Sequence, residues 1–212
     1  MLIKVPDQFA ATGRVIVRGY SGGTIERVQP YAASFMRAQS QLRHLPFTSE
    51  YADLRKRSLH RIEELNKRIE AIFQRYALLE TATDNLIMTG SLTGRDLLVQ
   101  YLIGGTTYGG GLNYGALGTG TATPAAGDTQ LGAEVARVVP STIIDVGNNQ
   151  VQLQCYFPDA NLPNGTYHEA GTFMNGSATL NTGQIFNHAL LGTPFTKTTG
   201  VDSTLQVNVS IS

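Results

Sequence analysis

Leu112–Arg137 reads LNYGALGTGTATPAAGDTQLGAEVAR, and its punctuation separates a strand from the loop behind it. Leu112–Leu117 is a short strand. Gly118 and Gly120 then permit positive φ, Pro124 fixes φ and removes a donor, and Gly127–Asp128 is a turn pair. Strand-like sequence resumes at Glu134. No lysine follows the glycines and no helical pattern opens behind them, so this is not a phosphate-binding loop.

Toward the C-terminus the pattern is strand and turn throughout. Glu134–Val146 reads as one long strand interrupted at Pro140, a residue suited to an edge or a bulge. Gln150–Phe157 alternates cleanly, with Val151, Leu153, Cys155 and Phe157 on one face. Thr166–Met174, Gln184–Leu191 and Thr204–Ile211 follow, with an Asn175–Gly176 turn between the first two. Six or seven short strands at this turn density predict an antiparallel β-sandwich over residues 106–212.

Toward the N-terminus, residues 1–47 read as an arm with a β-hairpin. Arg14–Arg18 and Thr24–Val28 are its strands and Ser21–Gly23 its turn. Residues 48–105 read as a helical region for attachment or oligomerisation. Thr48-Ser49-Glu50 offers an N-cap, and a long amphipathic helix runs to about Leu79. Its apolar positions Ile62, Leu65, Ile69, Ile72, Tyr76 and Leu79 are spaced 3, 4, 3, 4 and 3, a heptad seam. Two arrangements fit that seam: packing on the chain's own sheet or helices, or a short parallel coiled coil in which isoleucine favours three strands. Gly94–Ile103 reads as a second, short helix stopped by Gly104–Gly105.

Composition narrows the function classes. The 212 residues carry no net charge, which argues against a global field for nucleic acid or an acidic membrane. The charge is uneven: residues 1–100 hold 14 basic and 10 acidic side chains, and the remainder hold two and six. The single cysteine, Cys155, excludes an internal disulfide and reads as a small core residue. No apolar run approaches the roughly 20 residues of a membrane span. Met1–Lys4 does not open a signal peptide, so the expectation is a soluble chain not secreted by that route.

No catalytic constellation emerges. His44, His60, His168 and His188 lack metal-ligand spacing, and no second cysteine exists for zinc. No G-x-S-x-G elbow is present, and Asp145, Asp159 and Glu169 are scattered rather than paired. Glu169 stands out. With Arg137, one of only two cations in the second half, it reads as a structural ion pair. Arg55-Lys56-Arg57 with Arg61 is offset by acids on the same helix, a solvated face. The expectation is no cofactor, no metal, no nucleic acid and no membrane.

The run GTGTATPAAGDTQLGAEVAR resembles a segment of tailed-bacteriophage structural proteins, in which a strand ends in a Gly-Thr-Gly-Thr loop and resumes through Leu-Gly-x-Glu-x-x-Arg. The likeness continues in Gly165–Phe173 and Pro194–Lys197 and spans roughly Asn85 to the C-terminus. The helix at about 48–80 lies outside it. The resemblance implies a non-enzymatic virion component, tail-, baseplate- or fibre-associated, assembled in the host cytoplasm with other virion proteins. Closed symmetry suggests a homo-oligomer, with a trimer as the expectation. Two rivals stand beside this. One is a capsid-decorating cement protein. The other is a module binding host-surface glycan through Tyr108, Tyr114, Tyr156 or Tyr167, which the absence of tryptophan weakens. A glycan depolymerase comes last for want of paired carboxylates.

Overall fold

The computed structural model describes residues 11–46, 48–90, 93–102, 111–147 and 149–211. These fall into two compact units, a helical one (Tyr20–Leu78) and a sheet formed from residues 11–19 and 79–211.

The first strand, β1 (Ala11–Ser21), buries Val15 and Val17 completely. The return strand expected at Thr24–Val28 does not exist; Thr24–His44 is a helix, α1. The chain enters it through Gly23 at φ 82°, a left-handed conformation open to glycine, and the Thr24 hydroxyl donates to the Ser21 carbonyl at 2.6 Å. The β-branched Thr-Ile-Glu-Arg-Val run favours strand locally, but the longer period decides. Val28, Phe35 and Ala38 are buried at helical spacing. Pro30 sits inside the helix, where it forfeits one backbone bond without ending it.

The second helix, α2, spans Ala52–Tyr76 and packs along α1. Tyr20 meets Phe73 with ring centroids 4.8 Å apart, and the Arg27 guanidinium lies 5.1 Å from the Tyr76 ring centre. The start of α1 therefore meets the end of α2, an antiparallel helical hairpin. The helix stops short of the expected Leu79. Ala77 is already extended, and Leu79 belongs to the next strand, β2 (Ala77–Ile87), where alternation replaces the heptad.

The sheet unit adds a short helix, α3 (Gly94–Leu102), and seven further strands: β3 (Leu112–Gly118), β4 (Glu134–Val138), β5 (Pro140–Gly147), β6 (Gln150–Phe157), β7 (Gly165–Met174), β8 (Gln184–Lys197) and β9 (Val201–Ile211). The nine strands make one continuous antiparallel sheet in the order β4-β3-β7-β8-β2-β1-β9-β6-β5, where two separate layers were expected. The sheet curls. A Cβ built on Gly115 of β3 would fall 2.3 Å from Cys155 Sγ of β6 and 3.2 Å from Leu205 of β9, so strands distant in that order back onto each other. β4 and β5 lie at its two ends yet are separated in sequence only by Val139. Pro140, which cannot donate a ladder bond, stands where the chain leaves one partner strand for another.

The curl encloses a core of Val15, Val17, Leu97, Leu117, Leu153, Cys155, Phe157, Phe195, Leu205 and Val207, among others. Cys155 is fully buried, and that burial pushes its thiol well above the ordinary range, consistent with a packing residue rather than a nucleophile.

Candidate functional site

The loop of residues 119–133 is tied down from beneath. Thr119 N–H donates to the Ala133 carbonyl at 2.9 Å and closes its base. Leu131 fills a small cluster with Met88, Ala116, Phe173 and Ile185. The amides of Thr89 and Gly90 both donate to the Ala126 carbonyl, at 3.0 and 3.2 Å.

The remaining attachment is ionic. Glu169, on β7 and only 1% exposed, accepts backbone N–H groups from Gly120 (2.9 Å), Gly132 (2.9 Å) and Ala133 (2.7 Å). Its Oε2 also lies 2.9 Å from His188 Nε2 on β8. Gly171 stands directly opposite His188 in the ladder, and a Cβ there would fall 2.8 Å from the Asn187 carbonyl and 3.0 Å from Leu131 of the loop, so the glycine admits the loop's close approach to β7. The other ring nitrogen, Nδ1, is 2.8 Å from Asp128 Oδ2, which accepts the Ala125 N–H at 2.9 Å. One imidazole thus joins a sheet carboxylate to a loop carboxylate. The glycines of the motif fit this carboxylate closely: a Cβ on Gly118 or Gly120 would stand 2.5 Å from Glu169 Oε1.

The electrostatics follow from the partners. Burial pushes the Glu169 carboxyl upward, but His188 and the three amides outweigh it and hold the group down at about 2. Burial works against a charged His188, but the hydrogen bonds it donates to Glu169 and Asp128 prevail and raise it above its ordinary value. Glu169 is therefore ionised at neutral pH, and the ring between two carboxylates favours the imidazolium.

In outline a carboxylate–imidazole–carboxylate row resembles a proton relay. Here both ring nitrogens face carboxylates, and four donors fill the roughly four lone-pair sites of Glu169. The row is built to hold a loop. Among the described residues no group of three His, Cys, Asp or Glu side chains is arranged to bind a metal ion.

The expected bridge between Arg137 and Glu169 is replaced by two separate arrangements. Strand β3 lies between their strands, with Ala116 opposite Arg137 and Gly118 opposite Glu169. Two ladder spacings separate them, roughly 10 Å. Arg137 pairs instead with Glu134 as a fork, its Nη2 donating to Oε2 at 2.7 Å. Its Nη1 donates to the carbonyls of Thr182 (2.8 Å) and Ser177 (3.2 Å), and its guanidinium lies over Tyr114 and Phe173. This cation fixes the loop between β7 and β8. A third lock, invisible in the sequence, uses Lys197: 3% exposed, it donates to the Asp159 carboxylate, the Asp159 carbonyl (3.0 Å) and Asn164 Oδ1 (3.1 Å), pinning the β6–β7 connection.

Of the expected helix seam, Ile69 is buried, and Ile62, Leu65, Ile72 and Tyr76 are half-buried. Phe73, outside the seam, is as buried as Ile69. Of the glycan candidates, Tyr167 is in the core with its hydroxyl donating to the Pro163 carbonyl, Tyr114 lies beneath Arg137, Tyr156 is half-buried, and Tyr108 lies outside the described residues. The remaining histidines, His44, His60 and His168, are not brought together into a site. A cavity of about 460 Å³ at the ends of β1, β2 and β9 has Arg14, Arg95, Asn85 and Asp84 in its lining, with no histidine or second acid among the described residues that line it.

No protein-family model, curated protein or solved structure matches the chain. Among the described residues no helix is long and apolar enough to cross a membrane.

Proposed function

We propose that the chain is a non-enzymatic structural component of a tailed-phage virion, tail-, baseplate- or fibre-associated, which assembles with copies of itself and with other virion proteins through its helical hairpin. The observation that carries this reading is the state of Glu169: the segment that resembles phage structural proteins folds into a loop whose buried carboxylate is filled by four donors. Its chemistry is committed to holding the base of that loop in place. The locks at Arg137 and Lys197 act on two further loops in the same sense, which suits a scaffold that presents constant surfaces to neighbours.

The helical unit supports the attachment role. Met36, Leu54 and Leu59 are 50%, 43% and 53% exposed there, apolar area that a neighbouring copy would cover.

Two measurements test the reading. Mass spectrometry of purified phage particles is expected to find peptides of this chain; their absence overturns the virion assignment. Light scattering is expected to give an oligomer for the full chain and a monomer when residues 22–76 are replaced by an Asn-Gly turn. That replacement is reasonable because β1 and β2 are neighbours in an antiparallel sheet. The full-length double variant Leu54→Glu, Leu59→Glu serves if the shortened chain does not fold. A full chain that is monomeric at every concentration sinks self-assembly and moves attachment to a partner's surface, as in a capsid-decorating protein.

A further inference from the structure

We infer that His188 and Asp128 form a proton-operated latch: the protonated ring holds the turn of the 119–133 loop to the sheet, and loss of its proton frees the Asp128 arm while Glu169 keeps the base of the loop in place. The inference rests on the asymmetry of the two carboxylates and stands apart from any role in a virion. Both ring nitrogens lie within hydrogen-bond distance of an acid, 2.9 Å to Glu169 and 2.8 Å to Asp128, and only the imidazolium can donate to both.

Which proton leaves is set by what surrounds each acid. Glu169 has a side chain 1% exposed and is fixed by three backbone amides. A bare Nε2 lone pair pointed at that buried anion would be repelled with no water to intervene, so Nε2 keeps its hydrogen. Asp128 has a side chain 29% exposed and can turn to solvent. Deprotonation therefore falls on Nδ1 and sets a lone pair against the Asp128 carboxylate. Repulsion then moves the Asp128 turn outward. The amides of Gly120, Gly132 and Ala133 stay on Glu169, and Leu131 stays in its cluster.

The charged neighbours of the ring are few. Glu169 comes from β7 and Asp128 from the loop. β2 places Leu86 opposite His188, and α3, which also packs on β8, carries Arg95 and Asp96. Among the described residues the ring's hydrogen bonds run to the two carboxylates alone. Because those bonds raise the folded ring above its ordinary 6.5, the latch is fully engaged below 6.5 and is lost as pH rises through the folded value.

The test is nitrogen NMR of the His188 ring in the full-length protein from pH 5 to 10, with amide-exchange protection of Thr89, Gly90 and Ala125 followed in parallel. The expected result is that Nδ1 titrates with a midpoint above 6.5 while Nε2 stays protonated. Protection at the three amides, corrected for intrinsic exchange, should fall roughly tenfold or more across that midpoint, the size of one charge-assisted hydrogen bond. In Asp128→Asn, which alters only the more exposed arm, the midpoint should drop and the loop's pH response should vanish while the sheet amides stay protected. Loss of the Nε2 proton first, unchanged loop protection through the midpoint, or a full pH response in Asp128→Asn would each overturn the latch.

Discussion

With the charge on Glu169 removed, three backbone amides and one ring N–H would still converge on a site 1% exposed, and an amide group could not accept all four. Glu169→Gln is therefore expected to destabilise the protein by about 3–5 kcal/mol, the cost of breaking a buried charged pair from one side. In urea this reads as a lower midpoint with an unchanged slope. The same residue sets the acid limb of stability. Its carboxyl sits at about 2 when folded and 4.5 otherwise, so its contribution is complete above 4.5 and is lost as pH falls through about 2. The slope of unfolding free energy between those values should be shallower in Glu169→Gln than in the parent, and equal slopes would refute the assignment. Glu169 is legible as an unusual acid in a half of the chain with few charges. Its partners are not. Scarcity of cations points to Arg137, and only the strand order reveals β3 between them. A better signal sits in Ile185-Phe186-Asn187-His188-Ala189-Leu190, where two polar residues interrupt an apolar strand and need buried partners.

Periodicity is a dependable guide to elements when one face is wholly buried, and β6 and β9 illustrate this. Leu153, Cys155 and Phe157 alternate into the core against Leu205 and Val207 of the neighbouring strand, as their spacing predicts. Thr24–Val28 misleads because five residues favour strand while the helical stripe that overrules them extends to Ala38, across a proline that resembles a stop. Pro140 is legible as an interruption, but a break in one strand does not reveal that the halves join opposite ends of a sheet. The curl itself depends on close approach at Gly115, which gives a prediction at this scale. Gly115→Ala places a methyl 2.3 Å from Cys155 Sγ and is expected to cost about 1–3 kcal/mol through overpacking. Cys155→Ala alone should cost less than that, since it removes a single atom. The double variant should then be more stable than the sum of the two losses allows, because removing the sulfur vacates the space the methyl needs. Strict additivity in a denaturant double-mutant cycle would mean that β3 and β6 are not in contact.

The two units differ in how much they can bury, and from that follows a difference in how they melt. The sheet unit encloses Val15, Phe157, Leu205 and their neighbours without exposure, whereas among the described residues the helical hairpin buries Tyr20, Val28, Phe35, Ala38, Ile69 and Phe73. Two helices leave each other's outer flanks bare, and a unit of that size is near the limit at which a core supports itself. Its charge adds to the cost. Residues 20–78 carry 10 basic and six acidic side chains, a surplus of four, and like-charged copies repel each other at low salt. If association supplies the missing burial, the helical transition must obey mass action while the sheet transition need not. For a dimer, each tenfold rise in concentration adds roughly 1.4 kcal/mol to the associated state. The far-UV helical signal is thus expected to melt several degrees higher across a tenfold to hundredfold concentration series, and higher again with added salt. The amide NMR signals of Leu153 and Leu205, both within the sheet unit, are expected to keep their own melting temperature across the same series. A helical transition indifferent to both concentration and salt would show that the hairpin stands alone, and would remove the strongest physical reason for placing self-assembly there.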